Sequence, residues 1–250
     1  MKKVVLFKSE SEDYKRAFSD SNYETVFVEP LQFEHINSVQ IAEKLLQKDY
    51  DGLILTSPRA VEALARCWDP SKFVIWNMKR VYTVGEGSSR KILASLGLEA
   101  LGETSGSAEH LANIILKENP VNSKFLFPCG NLRSETLPKS LGEAGISVDA
   151  LTVYETKENT NLKTDLVELD SGHDPCCLVF FSPSGCEYIH RALQTFSNNL
   201  NQLPRFAIGN STAHKIENLG LEIAGVAAKP QAGSLVESVQ QYFIALQSCS

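Results

Sequence analysis

No stretch of the chain approaches the ~18 consecutive apolar residues of a membrane span, and no surplus of positive charge marks it for nucleic acid or an acidic membrane. Its 24 Lys and Arg stand against 30 Asp and Glu, a formal charge of −6, which argues against both partners. The six cysteines (Cys67, Cys129, Cys176, Cys177, Cys186 and Cys249) contain no CxxC pair, and none has a histidine at zinc-finger spacing. Met1 to Phe7 looks only superficially like a signal start, because Lys8, Glu10, Glu12 and Asp13 follow a four-residue apolar run; a buried strand is expected there. Reduced thiols and a cytosolic location are the consequence. The five histidines, His35, His110, His173, His190 and His214, are scattered, so a metal is not indicated.

Several catalytic signatures are missing as well. The chain has no GxxxxGK[ST] loop, no GxSxG elbow and no HExxH helix. Gly85-Glu86-Gly87-Ser88-Ser89-Arg90 begins like a dinucleotide turn, but Arg90 stands where the third glycine would let helix and sheet pack closely. Response-regulator chemistry needs an aspartate at a strand end, and the candidate ends carry Thr56-Ser57 and Ser182.

What the chain does have is a duplication. Leu53-Ile54-Leu55-Thr56-Ser57-Pro58 returns as Leu178-Val179-Phe180-Phe181-Ser182-Pro183, displaced by 125 positions within 250 residues. In both copies an apolar strand meets Ser-Pro and then a helical pattern. Proline suits a first helical position, where its missing N–H is no loss, and a helix start at a strand's carboxyl end offers N–H donors to an anion. Two such corners suggest a ligand with several negative charges. Val84-Gly85 to Gly97 parallels Ile208-Gly209 to Gly220, each a strand, a glycine turn, a helix and a glycine stop. Gly106-Ser107 opens a helix with Ala108, Leu111, Ala112 and Ile115 on one face; Gly233-Ser234 opens its counterpart with Leu235, Val239, Phe243 and Leu246.

More loosely, Val4 to Phe7 matches Phe125 to Phe127, and Thr25 to Val28 matches Ala150 to Val153; Leu137, Leu141 and Ala144 form a helical stripe that stops at Gly145. Each half therefore reads as alternating β and α segments with short continuous apolar strands, the pattern of a parallel sheet covered on both faces. The 43% apolar content supports real cores in one large or two modest domains. The division falls either near residue 122 or at two equivalent polar stretches, 30–35 and 155–161, in which case each domain draws on both repeats.

Functional groups should gather outside the strands' carboxyl ends. The candidates are Ser57, Cys129, Gly130, Asn131, Ser182, Ser184, Gly185, Gly209, Thr212, and the turn Thr104, Ser105, Gly106. Each hydroxyl would also serve as an ordinary helix cap. Tyr154, expected at the end of the strand Asp149 to Val153, would place its ring inward and its hydroxyl in water, where a phenol can act as a general acid.

In order along the chain, Thr56-Ser57-Pro58-Arg59-Ala60-Val61-Glu62, Val81-Tyr82-Thr83-Val84-Gly85, Gly102-Glu103-Thr104-Ser105-Gly106-Ser107, Phe127-Pro128-Cys129-Gly130-Asn131-Leu132, Thr152-Val153-Tyr154-Glu155-Thr156, Phe181-Ser182-Pro183-Ser184-Gly185 and Ile208-Gly209-Asn210-Ser211-Thr212 together resemble uroporphyrinogen-III synthases of the animal type. Relatives often carry Pro-Thr-Thr where this chain has Asn210-Ser211-Thr212, and the segment from Cys67 to Lys79 looks like a short, variable surface connection. The resemblance implies an α/β fold of two flavodoxin-like parallel-sheet domains joined by a two-stranded linker. Residues 1–31 with 160–250 would form one domain, 35–152 the other, and 31–35 and 153–160 the linker strands. It implies a cofactor-free enzyme acting in the cleft between them as a monomeric lyase. The expected substrate is hydroxymethylbilane, a linear tetrapyrrole with eight carboxylates, closed with loss of water and inversion of the last ring to uroporphyrinogen III on the way to heme. Tyr154 is the implied acid for hydroxyl departure; Ser182, Thr212, Thr104 and Arg59 are implied substrate contacts. A different class, a non-catalytic two-domain binder of a carboxylated or phosphorylated metabolite, is set apart by tight binding without turnover of the bilane.

Overall fold

A computed structural model describes residues 1–172, 174–196 and 198–248; His173 and Cys249, named above, lie outside the described residues. The chain divides into two compact units, Met1–Gln32 with Lys157–Ser250, and Phe33–Thr156. Residues 118–123, one candidate boundary, lie within the second.

The first unit is built on β1 (Lys2–Phe7), β2 (Tyr23–Phe27), β8 (Pro175–Phe180), β9 (Arg205–Ala207) and β10 (Gly225–Val226), in the spatial order β10-β9-β8-β1-β2. All its pairings are parallel. Counted in order of appearance the strands run 2-1-3-4-5, the flavodoxin order, whose switch point falls between β1 and β8. Val4, Leu6, Cys177 and Val179 pack on one face, and Val5, Phe7, Leu178 and Phe180 on the other. That two-sided burial is why these strands read as unbroken apolar runs. The helices α1 (Glu12–Ser19), α7 (Leu162–Gly172), α8 (Pro183–Leu193), α9 (Asn210–Asn218) and α10 (Ala232–Ser248) accompany the sheet.

The second sheet holds β3 (Leu31–His35), β4 (Gly52–Ile54), β5 (Arg80–Tyr82), β6 (Lys124–Gly130) and β7 (Ser147–Glu158), ordered β3-β7-β6-β4-β5; all of it lies in the second unit except Leu31 and Gln32 of β3 and Lys157 and Glu158 of β7. Leu101 adds a parallel bridge to Tyr82. Matching β7 with β2, β6 with β1, β4 with β8, β5 with β9 and the Leu101 bridge with β10 gives the same spatial order in both units. The chain merely enters the second copy at a different point. Its helices are α2 (Ser38–Leu45), α3 (Pro58–Ala65), α4 (Glu86–Leu96), α5 (Ala108–Glu118) and α6 (Thr136–Glu143). α4 ends at Gly97, whose φ of 70° only glycine adopts without cost.

Three expectations need correction. The segment from Cys67 to Lys79 is no loose surface connection: a 3₁₀ turn at Val74–Met78 seats Trp76 fully in the core, and its indole N–H donates to the Leu45 carbonyl at 2.9 Å. β7 does not end before Tyr154 but runs on to Glu158. The Asn131 side chain extends the ladder there, with the Thr156 N–H donating to Asn131 Oδ1 at 2.8 Å and Asn131 Nδ2 donating to the Thr156 carbonyl at 3.3 Å. α10 begins at Ala232, before Gly233-Ser234, and Leu246 is 48% exposed, because the helix packs on the sheet through Leu235, Val236, Val239, Tyr242 and Phe243 and leaves its last turn uncovered.

Candidate active site

In the second unit the switch point lies between β6 and β4, and a cavity of about 370 Å³ opens there. It is lined by Thr56 and Ser57 after β4, Val84 after β5, Cys129 and Gly130 at the end of β6, Tyr154 from β7, Gly106 to Ala108 at the start of α5, and Leu132 to Ser134 in the loop after β6. Five expected site residues therefore meet: Ser57, Gly106, Cys129, Gly130 and Tyr154.

At the centre is a contact between residues far apart in the chain. The Tyr154 hydroxyl donates to Ser57 Oγ at 3.1 Å. Ser57 also caps α3, accepting the Arg59 N–H at 3.2 Å. The ring of Tyr154 lies flat against Gly130, where a built Cβ would come within 2.5 Å of Tyr154 Cζ and 2.7 Å of its hydroxyl oxygen. Gly130 and Tyr154 are register partners just past an irregularity in the β6–β7 ladder. Only a glycine leaves that space for the phenol.

The expectation of free amides at the first Ser-Pro corner does not hold. Pro58 has no N–H, the Arg59 N–H goes to Ser57 Oγ, and those of Ala60 and Val61 go to the Ser57 carbonyl. The serine cap has consumed the donors that a helix start would otherwise present. Positive charge comes instead from Arg133, which sequence reading missed: it lines the cavity, pairs with Glu135 at 3.0 Å, and keeps a buried Nε without a hydrogen-bond partner among the described residues. A lone arginine in a loop carries no periodic signal that could have marked it. Burial pushes the Cys129 thiol up, against the pull of Arg133, the opposite of the lowered pKa that marks a reactive cysteine.

The remaining second-unit candidates lie outside the cavity lining. Arg59 is exposed, its guanidinium 3.5 Å from the centre of the Phe33 ring. The Asn131 amide is engaged on the Thr156 backbone. Thr104 is exposed, whereas Ser105 is 8% exposed with a hydroxyl that has no hydrogen-bond partner among the described residues. In the first unit, Ser182 caps α8 by accepting the Gly185 N–H at 3.1 Å. A Cβ on Gly185 would meet Ser182 Oγ at 2.9 Å and Pro30 Cγ at 3.2 Å. Ser184 lies in the first turn of α8, Gly209 precedes α9, and Thr212 is buried in α9's first turn. Lys8, just past β1, sits over the Tyr14 and Phe181 rings at 4.5 and 5.5 Å. Burial pulls its pKa down, with Asp13 opposing.

Residues 12–237 match the family described as Uroporphyrinogen-III synthase HemD. The chain belongs to the uroporphyrinogen-III synthase family. The synthase of Saccharomyces cerevisiae is 26% identical over 268 residues, covering 96% of both chains. That of Chlorobaculum parvum is 26% identical over 189 residues, covering 70% of this chain and 72% of its own. Among solved structures, a mutant synthase from the extremely thermophilic bacterium Thermus thermophilus matches with a TM-score of 0.65 at 15% identity, covering 98% of this chain and all of its own. The Helicobacter pylori enzyme matches with a TM-score of 0.63 at 18% identity, again covering 98% of this chain. At such identities the structural likeness speaks for the synthase fold, a two-domain α/β architecture.

Proposed function

We propose that this chain closes hydroxymethylbilane to uroporphyrinogen III, with loss of water and inversion of the terminal ring, as a step of tetrapyrrole biosynthesis. Family membership supports the reaction. The observation that carries it to particular residues is the cavity at the β4–β6 switch point, where the Tyr154 phenol meets the Ser57 hydroxyl. The cavity has room for a terminal ring with its acid arms rather than for four rings. Its floor is apolar, from Val84, Phe127 and Leu137, with the polar groups on its rim, as a pyrrole bearing carboxylates requires.

The chemistry asks little of the protein at the leaving step, since the pyrrole nitrogen's electron pair expels the hydroxyl once it is protonated, giving an azafulvene-type cation. The larger task is to hold the chain so that the substituted carbon of the last ring attacks and a spiro intermediate forms. Tyr154 and Ser57 supply the proton-donating hydroxyls. Arg133 is assigned to a substrate carboxylate, which supplies the acceptor its Nε lacks, and the positive ends of α3 and α5 add to the attraction. Ser182, Ser184, Gly185, Gly209 and Thr212 are proposed as contacts for other carboxylates, supported by their place beyond β8 and β9; Arg59, Thr104, Ser105 and Asn131 are proposed to act from the margin of the cavity. Action as a monomer in the cytosol, without nucleic-acid or membrane partners, belongs to the same proposal. Its support is the net charge of −6, the free cysteines among the described residues, and the lack of any described helix long and apolar enough to cross a membrane.

The test is direct. Supplied with hydroxymethylbilane, the protein should yield the type III isomer. Spontaneous closure gives type I, so type I alone excludes the activity.

A further inference from the structure

We propose that Ser57, not Tyr154, hands the proton to the departing hydroxyl, and that Tyr154 then reprotonates Ser57, making a two-member relay. The idea rests on the proposed cyclisation and adds to it a role for each hydroxyl. A serine hydroxyl has one proton and two lone pairs. At Ser57 the lone pairs are taken by the Tyr154 hydroxyl at 3.1 Å and by the Arg59 N–H at 3.2 Å. The proton of Ser57 is therefore the one left to point elsewhere, and Ser57 lines the cavity. Tyr154, by contrast, has already committed its proton to Ser57. Giving it straight to substrate would break that bond, whereas passing it through Ser57 uses the bond as it stands. The backbone of α3 fixes Ser57 from one side, and Gly130 fixes the phenol from the other.

The step balances. The bond between the terminal methylene carbon and its oxygen breaks, and the electron pair leaves with oxygen. That oxygen takes the Ser57 proton and departs as water. Ser57 Oγ takes the Tyr154 proton, and the phenolate faces the new cation. The substituted carbon of the last ring bonds to the cationic methylene, its old bond to the bridging methylene breaks, and that bridge re-forms at the last ring's free α-carbon, whose proton returns through Ser57 to the phenolate as the ring regains aromaticity. Bilane has become macrocycle plus water, and the protein is restored.

The experiment begins with wild type and hydroxymethylbilane. If only the type I isomer forms, the synthase reading itself fails, before any variant is considered. With type III formed, four variants test the relay. Ser57→Asn keeps a capping acceptor but no hydroxyl to pass a proton, so kcat should fall about 10²-fold with KM and melting temperature nearly unchanged. Tyr154→Phe should fall by a similar factor, and the double variant no further, because both cut one path. Ser57→Thr, with its hydroxyl retained, should recover most of kcat. Rates in mixtures of light and heavy water should show two protons in flight for wild type. Multiplying losses in the double variant would mean that Tyr154 donates directly, and a raised KM at constant kcat would make Ser57 a binding contact. A change confined to melting temperature would leave only the cap. Any of these overturns the relay.

Discussion

Gly130 shows how little a single residue need carry to matter. It has no side chain to react, yet the phenol of Tyr154 occupies the volume a side chain there would fill. In Gly130→Ala, either the ring swings off Ser57 or the ends of β6 and β7 part. The overpacking should cost roughly 1–3 kcal/mol, and misplacing the phenol should lower kcat about 10²-fold while secondary structure persists. Circular dichroism and turnover measured on one preparation check both; wild-type turnover in a folded variant would show that the phenol's place is unimportant. Ser57 was legible in the sequence because Ser-Pro after an apolar run announces a helix start. Its bond to Tyr154 was not, since 97 residues separate the two and only the packing of β4 against β6, and β6 against β7, brings them together. The same capping that made the serine visible also removed the free amides expected around it.

At the scale of elements, the second sheet has two unlike ends. Its carboxyl end opens into the cavity, while its amino end is closed by charge. There Asp149, near the start of β7, accepts hydrogen bonds from the Tyr50 hydroxyl and from Lys44 Nζ, the latter at 2.5 Å. Burial pushes the Asp149 carboxyl up, but these two hydrogen bonds and the neighbouring ammonium groups outweigh it and hold it below the usual carboxylate range. Burial and the same carboxylate push the Tyr50 phenol well up. With a folded pKa below the unfolded value of about 3.9, the contribution of Asp149 to stability is fully present above that value. It is lost as pH falls through the folded pKa. Lys44→Met should therefore lower stability by roughly 1–2 kcal/mol at neutral pH, and the deficit against wild type should shrink toward zero in strong acid. Denaturant titrations across that range check it; a deficit independent of pH would assign Lys44 to packing alone. None of this cluster stood out in the sequence, where Tyr50, Asp149 and Lys44 are ordinary polar residues between apolar runs. Trp76 escaped notice likewise, because the 3₁₀ turn that buries it has no helical or strand period.

For the whole molecule, the 125-residue repeat was plain from the paired Ser-Pro corners, and the parallel sheets followed from unbroken apolar strands. Composition could not say where each unit starts, because both crossing points are short polar stretches like any other loop. Three-dimensional contacts set Phe33–Thr156 apart as a continuous segment and leave the first unit in two pieces. A physical consequence can be measured. The second unit carries both of its cores, one around Leu53, Leu55, Trp76 and Leu126 and the other around Ile54, Phe125, Phe127 and Leu141, so residues 33–156 alone should unfold in a single cooperative transition. The two pieces of the first unit meet where the chain leaves and returns: the Asn159 N–H donates to the Pro30 carbonyl at 3.0 Å, and its side-chain amide donates to the Glu29 carbonyl at 2.8 Å. Joining residue 32 to residue 157 through a few glycines therefore closes a short loop at little entropic cost, and the joined chain too should melt cooperatively. Broad, dye-binding transitions in either piece would mean that the repeat is structural in pattern only and that each sheet depends on its twin to fold.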